Sequence, residues 1–334
     1  MSLAQRTMQR WYGTGPRPWL LRPLGWLYRG VAAARAWMYR RGWLHSVRLP
    51  VPVVVVGNIT LGGTGKTPLV IALVEHFRAR GWRPGVVSRG YGGSEQGPYL
   101  LPERPDPARC GDEPSLIRRQ TGAPVAIGRR RPEAAQLLVD AGADLVIADD
   151  GLQHYRLQRD VEICVMDGRR RLGNGLVLPC GPLREPPARL RRVDYCVLNG
   201  GTARTGEVPM VLENAPLQPL GEATATPRTL RDFQGRRVHA VAGIGHPARF
   251  FDSLRAHGIE VVEHAFDDHH VFAPADLAFG DTLPVLMTTK DAVKCADFAP
   301  PGTWSVPVRA RLPDDFLVDL EARLVTARQK NTAP

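Results

Sequence analysis

The stretch "VPVVVVGNITLGGTGKTP", residues 51–68, narrows the possible folds of this chain more than any other. A run of β-branched residues predicts a buried strand, glycines crowd the turn that follows, and "PLVIALVEHFRARG" then predicts a helix. Strand, glycine-rich loop and helix in that order form the context a phosphate-binding loop requires. Gly62, Gly63 and Gly65 admit backbone angles closed to other residues, so successive N–H groups can converge on phosphate oxygens. The helix adds the positive end of its dipole. In such a loop Thr60, Gly62, Gly63, Thr64 and Gly65 surround the nucleotide, Lys66 reaches the β- and γ-phosphates, and the Thr67 hydroxyl ligates Mg²⁺. Thr60 stands where the general pattern has its first glycine. The plain alternative is an ordinary glycine-rich strand-to-helix turn, and the strand–loop–helix context favours a nucleoside triphosphate over it.

Beyond this loop the patterns alternate. Apolar runs predict strands at 51–57, 84–88, 124–127, 144–148, 161–166 and 194–198, with helical periodicity at 66–80, 112–120 and 131–141. Such alternation implies an α/β fold of the phosphate-loop NTPase type, a mainly parallel sheet flanked by helices. A long Pro- and Gly-rich loop, "GNGLVLPCGPLREPPARL", interrupts it, and such loops are more often functional than idle. Near 215–235 the composition turns to Pro, Thr and Ala, as at a hinge. A second set follows: "RVHAVAGIG", a helix at 246–257, "IEVVEHAF", "PVLMTT", "TWSVPVRA" read as one strand, and a helix at 314–326. The expected division is an arm at 1–48, a phosphate-loop core at 49–220 and a smaller α/β domain at 221–330. Only the tail past Lys330 reads as disordered.

Charge is concentrated in the arm. The net charge is +11, yet residues 1–50 hold nine arginines and no acidic residue, and the other 284 residues carry 35 basic against 33 acidic groups. A nearly neutral body argues against a nucleic-acid groove. The arm also holds five of the seven tryptophans and three of the seven tyrosines. On a helix over 23–40, Leu24, Leu27, Val31 and Met38 share one face, Arg22, Arg29 and Arg40 the opposite one, and Trp26 and Trp37 the flank, with Pro23 in the first turn. No apolar run approaches the ~20 residues a span needs, and no signal-peptide core is evident. An amphipathic helix lying on an anionic membrane fits these features, and a helix packed on its own domain is the alternative. Five scattered cysteines without a C-x-x-C pair indicate neither a disulfide framework nor a zinc site.

"DLVIADDGLQH" places Asp149 and Asp150 at the end of a buried strand, where two aspartates can cap a turn but carboxylates beside a phosphate loop hold Mg²⁺ or its water. In "GDEPSLI", Asp112 opens a helix. Capping is its ordinary role, and proton abstraction becomes an option only because phosphoryl transfer needs a carboxylate near the acceptor hydroxyl. In "SRGYGG", Arg89 and Tyr91 should project near the loop, Arg89 as an anion contact or part of a tight turn. In "FDDHHVF", His269 and His270 are strand neighbours facing opposite ways, so one imidazole rather than a metal pair is expected at the site.

Taken in order, "GNITLGGTGKTP", "SRGYGG", "GDEP", "DDGLQH", "GPLRE", "FDDHH" and "TTKDAVK" closely resemble the tetraacyldisaccharide 4'-kinases of lipid A biosynthesis. The resemblance implies transfer of phosphate from ATP to the 4'-hydroxyl of a tetraacylated glucosamine disaccharide 1-phosphate. It implies a peripheral enzyme on the cytoplasmic face of the bacterial inner membrane, with an N-terminal helix at the lipid. No nucleic acid and no obligate protein partner are expected. By the same resemblance Lys66 and Thr67 act on ATP and Mg²⁺, Asp149 and Asp150 ligate metal or its water, and Glu185 assists the metal. Asp112 would be the base, aided by His269, with Gln153 and His154 facing the lipid substrate beside Arg89 and Tyr91. A membrane-recruited nucleotide switch or GTPase-like metallochaperone is the alternative. Against it, "MTTKDA" sets Asp291 one residue too early for guanine reading, and Leu61 stands where partitioning ATPases carry a lysine.

Overall fold

A computed structural model describes residues 7, 10–13, 19–220 and 228–332, so 221–227 of the expected hinge and parts of the arm lie outside the described residues. Val53 to Val56 are all buried, and their side chains alternate between two layers. On one side Val54 and Val56 meet Leu69, Leu73 and Phe77 of the helix Lys66–Ala79. On the other, Val53 and Val55 meet Ala134, Ala135 and Leu138 of the helix Arg131–Asp140. A strand buried on both faces reads as an unbroken apolar run, as expected at the centre of a parallel sheet.

That sheet has nine strands: β1 (Val53–Gly57), β2 (Pro84–Ser88), β3 (Tyr99–Leu100), β4 (Val125–Ile127), β5 (Leu145–Asp149), β6 (Val161–Asp167), β7 (Tyr195–Asn199), β8 (Glu207–Asn214) and β14 (Val308–Arg311). Their order is β14-β8-β7-β6-β1-β5-β2-β4-β3, with only β3 and β14 antiparallel to their neighbours. Beside it stands a five-stranded sheet of β9 (Gln218–Pro219), β10 (Arg237–Ala242), β11 (Glu260–Ala265), β12 (Val285–Thr288) and β13 (Thr303–Val306), ordered β11-β10-β12-β13-β9. Its helices are Pro247–Arg255 and Thr289–Cys295.

The chain crosses between the sheets twice, and here it departs from the division expected at 221–330. "TWSVPVRA" is not one strand. Pro307 has no N–H for a ladder and splits it, so β13 stays in the small sheet while β14 pairs with β8 of the large one. The helix Asp314–Thr332 follows β14 and buries Phe316, Leu320 and Leu324 in the large core. Residues 308–332 therefore belong to the first domain, and the helix runs past Lys330, where disorder was expected.

The arm contains a helix over Arg22–Arg40 with Pro23 in its first turn. It docks through a narrow face. A methyl at Gly25 would sit 3.0 Å from Cys180 Sγ, Tyr28 donates to the Arg184 carbonyl (3.0 Å), and Arg35 donates to the Gln153 carbonyl (3.2 Å). Leu24, Leu27 and Val31 are turned outward, each more than half exposed. No described helix is long and apolar enough to cross a membrane.

Candidate active site

The phosphate-binding loop leaves β1 between two asparagines. Asn58 donates to Thr64 Oγ1 (3.3 Å), and Asn199, at the end of β7, donates to the Thr64 carbonyl (3.0 Å). Neither asparagine is distinguishable in the sequence, where each is a lone amide at a strand end. Gly65 sits at φ 93°, and a methyl there would lie 2.4 Å from Asn199 Nδ2, so both conformation and space demand glycine. Thr60 needs no glycine because it is extended, forming a bridge with Leu183, beside Leu61 N–H donating to the Pro182 carbonyl (2.8 Å). The "GPLRE" run is thus laid along the shoulder of the loop.

Lys66 opens the helix and points at Asp150, 3.4 Å away. Arg184 grips both oxygens of the same carboxylate at 3.0–3.1 Å. Burial opposes ionisation of Asp150, but the charges of Lys66 and Arg184 outweigh it and hold the carboxyl below its usual range. Asp150 takes φ 50°, a left-handed conformation that aspartate tolerates better than most residues.

Asp149 is fully buried at the end of β5. Ser88 donates to its Oδ2 (3.3 Å), while Oδ1 has no hydrogen-bond partner. Burial, reinforced by the nearby Glu113 charge, pushes its carboxyl up to about 7. Arg131, itself buried, donates to the carbonyls of Asp149 (3.0 Å) and Val87 (3.4 Å) and so ties the ends of β5 and β2 together.

Glu185 does not join this pair. Its oxygens are taken by the Tyr155 hydroxyl (3.1 Å) and the Arg189 guanidinium (2.9 Å), and no three His, Cys, Asp or Glu side chains converge among the described residues. Tyr155 and Arg189 brace it next to Arg184. Gln153 likewise turns inward, donating to the Asn58 carbonyl (3.1 Å) at the root of the loop. His154 is half-buried; burial first, then Arg131, Arg159, Arg35 and Arg156, pushes its imidazole down to about 4.

Asp112 is not an N-cap. Gly111 occupies that position at φ 90°, and a methyl there would meet the Tyr91 carbonyl at 2.6 Å, so "SRGYGG" is stacked directly on this helix start. Freed from capping, Asp112 Oδ2 accepts from His269 Nδ1 (3.0 Å) and Lys294 Nζ (3.1 Å), both from the small-sheet domain. Among the described residues, both of these polar contacts are made by Oδ2 and none by Oδ1. Residues 267–270 form a turn rather than a strand, with His269 at φ 66°. His270 instead pairs with Asp276 (3.1 Å) and packs on Phe266 and Phe272. Tyr91 meets His269 edge to face at 5.3 Å, and both Tyr91 and Arg89 are exposed.

Lys290 and Lys294 were not singled out in the sequence. Their four-residue spacing is the signal, since it puts both ammonium groups on one side of the helix Thr289–Cys295. Lys290 reaches Asp268 (2.8 Å) and His269 Nε2 (3.4 Å). Asp291 between them is fully buried and accepts from Gly243 N–H (2.8 Å) and Thr288 (2.6 Å), which removes it from any base-reading role. At the outer side of the loop, Asp167 ends β6, Arg170 reaches from it to the Gly63 carbonyl, and Arg249 of the small-sheet domain approaches Asp167 at 3.5 Å.

Comparison with known proteins gives a family. A family model described as tetraacyldisaccharide-1-P 4'-kinase matches residues 17–325. A tetraacyldisaccharide 4'-kinase of Stenotrophomonas maltophilia is 53% identical over 329 residues, 96% of each chain, and one of Xanthomonas euvesicatoria is 52% identical over 332 residues, again 96% of each. Among solved structures, Aquifex aeolicus LpxK in complex with ATP superposes with a TM-score of 0.78 at 28% identity, covering 91% of this chain and 98% of that one.

Proposed function

This chain belongs to the tetraacyldisaccharide-1-P 4'-kinase family, and from that premise we propose how its residues carry out the transfer. The substrates are ATP and the tetraacylated disaccharide 1-phosphate, and the reaction moves the γ-phosphoryl group to the 4'-hydroxyl. Loop amides from Gly62 to Thr67 and the helix N-terminus bind the phosphates, and Lys66 leaves Asp150 for the β- and γ-oxygens. Asp150 and Arg184 thus keep the lysine placed before nucleotide arrives.

The donor set fits Mg²⁺: Asp149 Oδ1 is buried without a partner, and hard carboxylate and hydroxyl oxygens suit that ion. Asp149, Asp150 and Thr67 would hold it. When bound, Mg²⁺ neutralises charge on the β- and γ-phosphate oxygens. Asp112 accepts the proton of the 4'-hydroxyl on Oδ1, the oxygen left open by His269 and Lys294. The observation that supports the reading is this pairing across the two sheets, a carboxylate backed by an imidazole, next in sequence to Glu113, whose charge reaches Asp149. Arg89 and Tyr91, exposed beside it, contact the sugar or its 1-phosphate, and the neutral His154 lies against the arm.

The lipid substrate calls for a membrane surface. Leu20, Leu24, Leu27, Val31, Trp26 and Trp43 are exposed on an arm that carries nine arginines over residues 1–50 and no acid, which supports peripheral contact with an anionic bilayer. Use of ATP, a cytoplasmic nucleotide, supports putting that contact on the cytoplasmic face of the inner membrane. The test is incubation with γ-labelled ATP and the acylated disaccharide 1-phosphate. Label in the lipid is expected, whereas release of inorganic phosphate alone would overturn the kinase reading for this chain.

A further inference from the structure

Behind the active site the two inter-sheet crossings run side by side, residues 215–220 and 305–309, and they floor a cavity of about 380 Å³. That volume falls within the range of small-molecule sites, roughly 300–1,000 Å³. Its walls are the flanks of three helices already met. Ile71 belongs to the helix headed by Lys66, Leu116 to the one headed by Asp112, and Val293 to the one bearing Lys290 and Lys294. One face of each helix serves the reacting groups and another lines this cavity.

The lining has a definite chemistry. Apolar residues form most of the lining, and Arg119 and Arg309 are its two arginines. Arg119 donates to the carbonyls of Val293 (3.3 Å) and Pro105 (3.1 Å), and neither arginine has an acidic partner among the described residues. Glu75 is the one carboxylate lining the cavity. Ser305 is 3% exposed, and its hydroxyl has no hydrogen-bond partner. It turns toward the cavity because its neighbours Trp304 and Val306 take the other face of β13, into the small core.

We propose that this cavity is a second ligand site, separate from the nucleotide and lipid sites, which takes a small amphiphilic anion: an apolar chain with one carboxylate. The tail lies against Ile71, Leu116 and Val293, and the carboxylate meets Arg309 and Arg119. Because both crossings form the floor, an occupant ties the two sheets together and bears on the spacing between Asp112 and His269.

The test is thermal unfolding of the full chain with octanoate, below its micelle concentration, and with octylamine as the cationic counterpart. Binding to the folded state alone raises Tm by mass action. Octanoate should give a saturable rise of about 2 °C or more, and octylamine none. Arg309→Glu, at an exposed position, should abolish the rise, and Ser305→Leu should do the same by filling the floor. The double variant Leu24→Gln/Leu27→Gln on the arm should keep it. No saturable rise, an equal rise with octylamine, survival of the rise in Arg309→Glu, or its loss in the arm variant would each overturn the proposal.

Discussion

Asp112 shows how one side chain can be misread from its position in the sequence. A carboxylate opening a helix suggests a cap, but Gly111 is the N-cap, and Asp112 spends its Oδ2 on His269 and Lys294 instead. Asp112→Asn keeps the shape and still accepts from Lys294 but cannot take a proton. Its kcat should fall roughly 10²–10⁴-fold with ATP binding retained. If Asp112 and His269 act as a unit, the double variant with His269→Ala should be little worse than the worse single one. Near-normal turnover of Asp112→Asn would remove the base assignment. His154 makes a different prediction. Its folded pKa is depressed to about 4 from 6.5, so the unfolded chain binds a proton that the folded one does not between those values. That stability is present above about pH 6.5 and is lost as pH falls toward about 4. His154→Gln should therefore lose less Tm than the wild type across this window, and parallel Tm–pH curves would refute it.

At the scale of elements, the phosphate-binding loop was legible because its chemistry is local: strand, glycines, lysine and threonine are contiguous. The demand for Gly65 specifically was only half legible. Its φ of 93° belongs to the loop, but the closeness of Asn199 comes from a strand more than a hundred residues away. Gly65→Ala must both enter a strained conformation and push Asn199 aside, so ATP affinity should fall at least tenfold by calorimetric titration, about 1.4 kcal/mol. Wild-type affinity would show that the loop adapts. The arm helix was placed correctly within a residue, and of its expected stripe Leu24, Leu27 and Val31 are exposed while Met38 is half-buried, yet its inner face was invisible. Nothing in the sequence says that Gly25 must pass Cys180, because that contact needs the loop 176–185 in place. Changing Leu24, Leu27 and Val31 together to Gln removes apolar surface that is already exposed. Tm should hold while co-sedimentation with anionic vesicles drops several-fold. Undiminished binding would move the membrane contact elsewhere.

For the whole molecule, the parallel order of the large sheet followed from alternation, but its outer edge did not. A strand and helix beyond residue 307 read as the end of the second domain, because sequence proximity is the only guide when a proline breaks a strand. The fold sends them back instead: β14 onto β8, and Phe316 against Tyr195 with ring centroids 4.9 Å apart. This return has a consequence for synthesis on the ribosome. When Asn214 emerges, the large sheet lacks both its edge partner and the helix that covers Val161 and Val197. At 5–20 residues per second, translating the stretch up to Val308 takes on the order of 10 s. For that interval the nascent kinase core presents an open edge and a bare apolar face, the features that recruit chaperones or drive aggregation. Chains stalled between residues 215 and 307 should accordingly be insoluble or chaperone-bound, whereas chains released past residue 332 fold, and a soluble, protease-resistant core from a chain cut at 220 would contradict this.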